Sequence, residues 1–172
     1  MSSSRKLLAF LALTSLAGCG FSPLYGDAGT SSTVADKLAE VQVQNIPERT
    51  GQMLRESIEQ QLYANGSPTT QLYVLTVSYS IGEQGVGIQQ DTSVTRNRFI
   101  ATANWTLAAV GTPGVPIATG LASTEDAQNI IDQQYFALTL ETTTIDQQLA
   151  DQIGQQISSQ VAVYFKSHPK AG

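Results

Sequence analysis

Apolar residues recur at every second position in some stretches of this chain and at every third or fourth in others, and the changes of period mark its elements. Residues 38–46 alternate around Val41 and Val43, which predicts a half-buried strand ended by Pro47. Thr50 is placed to cap a helix carrying Met53, Leu54, Ile58 and Leu62 on one side, with Asn65-Gly66 as a left-handed cap and Pro68 beyond it. Over residues 71–81, Tyr73, Leu75, Val77, Tyr79 and Ile81 share one strand face, the clearest alternation in the chain. The Gly82–Gly87 stretch predicts a bend, followed by a polar tip at Gln89-Gln90-Asp91-Thr92. A strand over 94–110 puts Phe99, Ala101, Ala103, Trp105 and Leu107 toward the core. Gly111-Thr112-Pro113-Gly114 is a turn, Ile117, Thr119 and Leu121 carry a fourth strand, and Glu125-Asp126 is expected in a loop. Ile145, Leu149, Ile153, Ile157 and Val161 then repeat every four residues in a helix over 136–165, whose polar side is glutamine-rich.

The order is β-α-β-β-β-α. An α+β fold follows: a two-layer α/β sandwich, with two amphipathic helices packed on one face of a four-stranded, mostly antiparallel sheet. The strands from 71 to 124 form a meander with one long, protruding hairpin.

The first residues carry a different signal. Arg5 and Lys6 precede the apolar run Leu7 to Leu16, which ends in Ala17-Gly18-Cys19. A basic patch, a short apolar run and small residues before a cut site mark a secretory signal peptide, and the run is far shorter than the ~20 residues that span a bilayer. Leu16-Ala17-Gly18-Cys19 resembles a bacterial lipobox, which implies diacylglyceryl attachment at Cys19 and N-acylation of the new terminus. A plain secretory signal cleaved near Cys19 is the alternative. The expected organisation is signal peptide 1–18, lipidated tether 19–33, one domain over 34–167 and a flexible tail at 168–172. Phe21, Leu24 and Tyr25 make the tether more apolar than a free linker requires.

Charge narrows the function classes. Without Arg5 and Lys6, the remaining seven Lys+Arg face fourteen Asp+Glu, a net charge of about −7. No basic footprint for nucleic acid remains. Charged residues are 13% of the chain, about half the ~25% usual for soluble domains, and Gln, Thr, Ser and Asn supply the polar surface instead. Such a surface suits contact with another polar surface. One histidine, His168 near the C-terminus, and one cysteine leave no metal set and no nucleophile–base pair, so no enzyme and no cofactor is expected. Gly82, Gly85 and Gly87 lie between strands, which is the wrong context for a phosphate loop before a helix. Arg96 and Arg98, two apart on one strand, share a face opposite Phe99 and Trp105, and no Lys or Arg follows until Lys166. Two adjacent guanidiniums can clamp a phosphate; the competing role is a solvated edge that discourages aggregation.

The segment Cys19-Gly20-Phe21-Ser22-Pro23-Leu24-Tyr25-Gly26 resembles the start of mature LptE-family lipoproteins, and the length and element order of the remaining chain agree. The resemblance implies a non-enzymatic outer-membrane lipoprotein, lipid-anchored on the periplasmic side. It would plug and help assemble an LptD-like β-barrel and bind lipopolysaccharide on its way to the outer leaflet. Gly20, where a retention signal would place aspartate, is compatible with outer-membrane sorting. The glutamine-rich final helix departs from the arginines common in that family, so Arg96 and Arg98 rest on strand periodicity alone as lipopolysaccharide-binding candidates, with Lys37 and Arg49 as further ones. The alternative function is a periplasmic lipid-binding or shuttling lipoprotein without a barrel partner.

Overall fold

The computed structural model describes residues 34–64, 66, 70–88, 94–112, 114–129 and 135–169. The expected signal peptide, Cys19, the expected tether, the Asn65 and Pro68 signals, the tip at 89–92 and the end of the expected tail lie outside them. The elements are α1 (Val34–Ala39), β1 (Val41–Val43), α2 (Glu48–Leu62), β2 (Tyr73–Ile88), β3 (Val94–Ala109), β4 (Pro116–Asn129) and α3 (Tyr135–Ser167). One four-stranded sheet runs in the order β1-β2-β3-β4. β1 is parallel to β2, and the other pairs are antiparallel.

Four details correct the pattern read from sequence, and a fifth, the facing of β4, adds to it. The predicted first strand is mostly not a strand: Val34 and Leu38, four apart, lie on the short helix α1, and pairing with β2 spans only Val41–Val43. The second helix starts at Glu48 behind Pro47 rather than behind Thr50, and no side chain caps it. The glycine stretch does not bend. β2 continues to Ile88 in one register with β3, from Tyr73↔Ala109 to Ile88↔Val94, because β3 supplies a ladder partner throughout. Glu125 and Asp126 sit inside β4, opposite Ile100 and Phe99, and not in a loop. Finally, Ile117, Thr119 and Leu121 face away from the helices, while Ala118, Gly120 and Ala122 face them.

The facing of β4 has a packing cause. Trp105 occupies the space above β4: a Cβ on Gly120 would lie 2.6 Å from Trp105 Cε2 and Cζ2. Only a small inner row on β4 lets α3 approach. The stripe on α3 behaves as expected, with Ile145, Leu149, Ile153, Ile157 and Val161 all buried against Leu75, Ala101, Ala103 and Leu107. α2 packs mainly on α3 and on β1. The two helices meet at Gly154, where an added Cβ would come within 2.5 Å of Ser57 Oγ.

Candidate functional site: the helix-free face of the sheet

Strand alternation places even positions of β2 and β3, and odd positions of β4, on the face that carries no helix. That face is graded along the strands. At the end where β2 begins it carries Val74, Ala108 and Ile117. The middle is hydroxyl and amide, with Thr76, Ser78, Ser80, Thr102, Asn104 and Thr106. The far end carries Arg96 and Arg98.

The two arginines are brought together as the period of two requires. Arg96 pairs across the sheet with Val86 and Asn129, Arg98 with Gln84 and Ala127. They line an open recess of about 440 Å³ with Val86, Glu125, Asp126 and Ala127. Arg98 is held on both sides: its Nη2 donates to Gln84 Oε1 at 2.5 Å, and its Nη1 lies 3.8 Å from Glu125 Oε2. Its Nε is buried and has no partner. Arg96 is exposed, and its side chain has no bonding partner among the described residues. One guanidinium is therefore pre-positioned and its neighbour is free to close on an anion, a division of labour suited to a phosphate.

Beneath the arginines the core changes character. Asn97 Nδ2 donates to Glu83 Oε1, and buried Gln128 accepts from Thr142 Oγ1 at 3.2 Å. Among the described residues the apolar core thus ends near Phe99, and Asn97, Glu83, Gln128 and Thr142 form polar contacts beyond it.

The other candidates lie elsewhere. Lys37 is buried: its Nζ donates to Pro169 O at 2.8 Å and sits 5.9 Å from the centroid of Phe165. It belongs to the opposite end of the molecule, beside Tyr73, whose ring lies 4.9 Å from that of Phe165. Arg49 is exposed at the start of α2 and acts on Asp146, whose pKa is raised by burial and lowered in part by the Arg49 charge. Neither side chain joins Arg96 and Arg98. Cys19 lies outside the described residues.

A glutamine row escaped the sequence reading. Gln152, Gln156 and Gln160 of α3 turn toward the outer edge of β4 instead of solvent. Gln156 accepts from Ser123 N at 3.3 Å and donates to Ser123 O at 3.2 Å. Gln160 accepts from Trp105 Nε1 at 2.7 Å and donates to Leu121 O at 3.0 Å. Gln152 accepts from Thr124 Oγ1. The available signal was their spacing of four directly beside the apolar stripe, which marks the border of the buried face.

Among the described residues, no helix is long and apolar enough to cross a membrane. No group of three or more His, Cys, Asp or Glu among them could hold a metal ion.

Comparison with known proteins agrees with this architecture. A lipoprotein from Caulobacter crescentus CB15, 20% identical, superposes with a TM-score of 0.61 over 77% of this chain and 96% of its own. The minor lipoprotein of Acinetobacter baumannii, 17% identical, gives 0.59 over 73% and 92%. A lipoprotein B from Nitrosomonas europaea, 11% identical, gives 0.56 over 74% and 83%. At these identities the likeness is one of fold. No curated protein matches the chain. The family model described as LptE, lipopolysaccharide-assembly, matches residues 38–161, which is well over half of the chain and runs from the end of α1 into the last turns of α3. The chain therefore belongs to the LptE family, a non-enzymatic family of envelope lipoproteins acting in lipopolysaccharide assembly.

Proposed function

We propose that this protein is an outer-membrane lipoprotein, anchored through Cys19, that plugs and helps assemble an LptD-like β-barrel and binds lipopolysaccharide at Arg96 and Arg98. The observation that carries the ligand assignment is the juxtaposition of a pinned Arg98 and a free Arg96 on a face that no helix covers. A barrel lumen is polar, and a hydroxyl and amide face can meet it without many charges to desolvate. The shuttle alternative needs a cavity for acyl chains; the close approach of Gly120 to Trp105 between sheet and helix, and of Gly154 to Ser57 between the two helices, shows tight packing at both contacts, which favours the plug.

Two guanidiniums on lipid A or inner-core phosphates form charge-assisted contacts worth about 1.5–3 kcal/mol each when ordered. Replacing Arg96 and Arg98 together with Ala therefore weakens lipopolysaccharide binding by about tenfold or more, while the helical circular-dichroism signal is unchanged. Unchanged affinity would return the pair to the role of a solvated edge. For the anchor, the Cys19→Ala precursor takes up no radioactive palmitate; labelling of that variant would refute lipidation at Cys19. For the partner, a mild-detergent pull-down of the tagged lipidated protein recovers a stoichiometric large β-barrel. Recovery of the protein with bound lipid and no barrel would favour the shuttle.

A further inference from the structure

Six large apolar side chains are exposed among the described residues, and four gather at the end of the molecule opposite the arginines: Leu72 (44%), Val110 (49%), Val115 (61%) and Val163 (56%). Leu72 and Val110 are directly opposed, with Val110 N donating to Leu72 O at 2.9 Å. Val115 precedes Pro116, which pairs with Ala108, and Val163 lies on the last turns of α3, where Phe165 meets Tyr73. On the helix-free face the patch continues through Val74, Ala108 and Ile117, with no charged residue among these strand positions.

The chain enters the domain at this same end. Glu40 O, one residue beyond the short helix α1, accepts from Leu72 N and Tyr73 N, and Lys37 of α1 reaches Pro169. Residues 20–33, which lead into α1, span at most roughly 50 Å even when fully extended. The arginine end lies 13 residues along β3 from Ala109, roughly 43 Å away at strand rise. An anchor on the N-terminal side thus attaches at the apolar end, and the arginine end lies the length of the sheet beyond that attachment point.

We propose that this apolar base rests on the lipid bilayer, with Leu72, Val110 and Val115 seated at the level of the headgroups and first methylenes. The arginine recess is then directed away from that surface. The proposal rests on the N-terminal anchor inferred above only for proximity to the membrane. These apolar side chains, with charge only at their border, where Glu40 O meets Leu72 N and Lys166 follows Val163 by three, and with the aromatic Tyr164 on the adjoining helix turn, have the chemistry of an interfacial contact.

The test separates the base from the anchor. The mature chain with Cys19→Ser and an N-terminal hexahistidine tag is held on nickel-chelating vesicles of phosphatidylethanolamine and phosphatidylglycerol, so that acylation is not needed. A single new thiol, Val115→Cys or Asn104→Cys, carries a bimane label; Asn104 is exposed midway along the same face. Shallow nitroxide lipids quench the label at 115 at least about twofold more than at 104, and its emission moves to the blue. Adding Leu72→Ser and Val110→Ser to the Val115→Cys chain removes the difference. Equal quenching at 115 and 104 would overturn the proposal, as would shielding of 115 that arises only when the barrel partner is added. Retained palmitate labelling in the separate Cys19 experiment bears on the anchor alone and leaves this contrast readable.

Discussion

The two edges of the sheet solve the same problem in opposite ways. Every edge strand presents a row of unpaired N–H and C=O groups. On β4 that row is met by side chains, since Gln156 binds both groups of Ser123 and Gln160 takes the carbonyl of Leu121. The helix thereby stands in for a fifth strand. On β2 the cover is a real strand but a very short one: β1 pairs with Tyr73, Val74 and Leu75, and Gln44 adds one bond to Leu75 O and one to Thr76 Oγ1. Beyond that point, alternation directs the backbone groups of Val77, Tyr79, Ile81, Glu83 and Gly85 outward with no partner among the described residues. No proline, lysine or bulge blunts this stretch, and Glu83 is its only charge. The seal on β4 covers Leu121 to Ser123 in the middle of that strand, whereas the open run of β2 is continuous from Val77 to Gly85, so the association hazard of the isolated domain is concentrated on the β2 side.

The largest effect comes from breaking the closed edge. Gly120→Val drives a side chain into Trp105 and lifts α3 from β4, for a loss of about 3 kcal/mol in urea unfolding. Removing the glutamine seal alone, with Gln156→Ala and Gln160→Ala, strands Trp105 Nε1, Ser123 and Leu121 O without protein partners. Water replaces part of what is lost at this exposed edge, so the cost is about 1–2 kcal/mol, read by the same titration.

On the open side, Tyr79 offers a gain. Its hydroxyl is buried without a hydrogen-bond partner, so Tyr79→Phe stabilises by up to about 1 kcal/mol. Burial first, and then the Asp146 charge, push the Tyr79 pKa up to about 12 from 10.0. A raised phenol pKa favours the native state while the group is protonated. Its contribution is whole below pH 10 and is lost as pH rises from 10 to about 12. An alkaline unfolding titration shows this slope in the parent and not in Tyr79→Phe. The smallest change is Ser80→Lys on the helix-free side of β2, which leaves stability within about 0.5 kcal/mol and reduces concentration-dependent association in sedimentation velocity.

Much of this arrangement was legible in the sequence, and where it was not the reason is tertiary. The stripe from Ile145 to Val161 and the alternation from Tyr73 to Ile81 each exceed what a loop can imitate, and both hold. Arg96 and Arg98 could be placed on one face because a strand fixes side-chain direction by parity alone. Gly82, Gly85 and Gly87 misled because their local preference for turns is outweighed by an unbroken partner in β3. The facing of β4 could not be read locally, since Ile117 and Leu121 yield the inner side to Ala118, Gly120 and Ala122 because Trp105 of another strand fills it. Lys37 looked like surface and is core, because its aliphatic stem lies against Phe165 and its charge finds a carbonyl near the far end of the chain. None of these three facts lies within reach of a local window.

The position of α3 in the chain has a consequence for how the molecule comes into being. Residues 145–165 supply one wall of the core and part of the seal of the β4 edge, and in a chain delivered N-terminus first they emerge after every strand they cover. Until then the meander can pair its strands but has nothing to lay over its inner face. The bonds from Trp105 to Gln160 and from Lys37 to Pro169 span 55 and 132 residues, so closure waits on contacts of high sequence separation. Closure of the core is in this sense deferred until α3 has been delivered. Up to that moment the chain remains loose enough to be threaded, and from that moment its lifetime depends on how soon the open β2 edge is met.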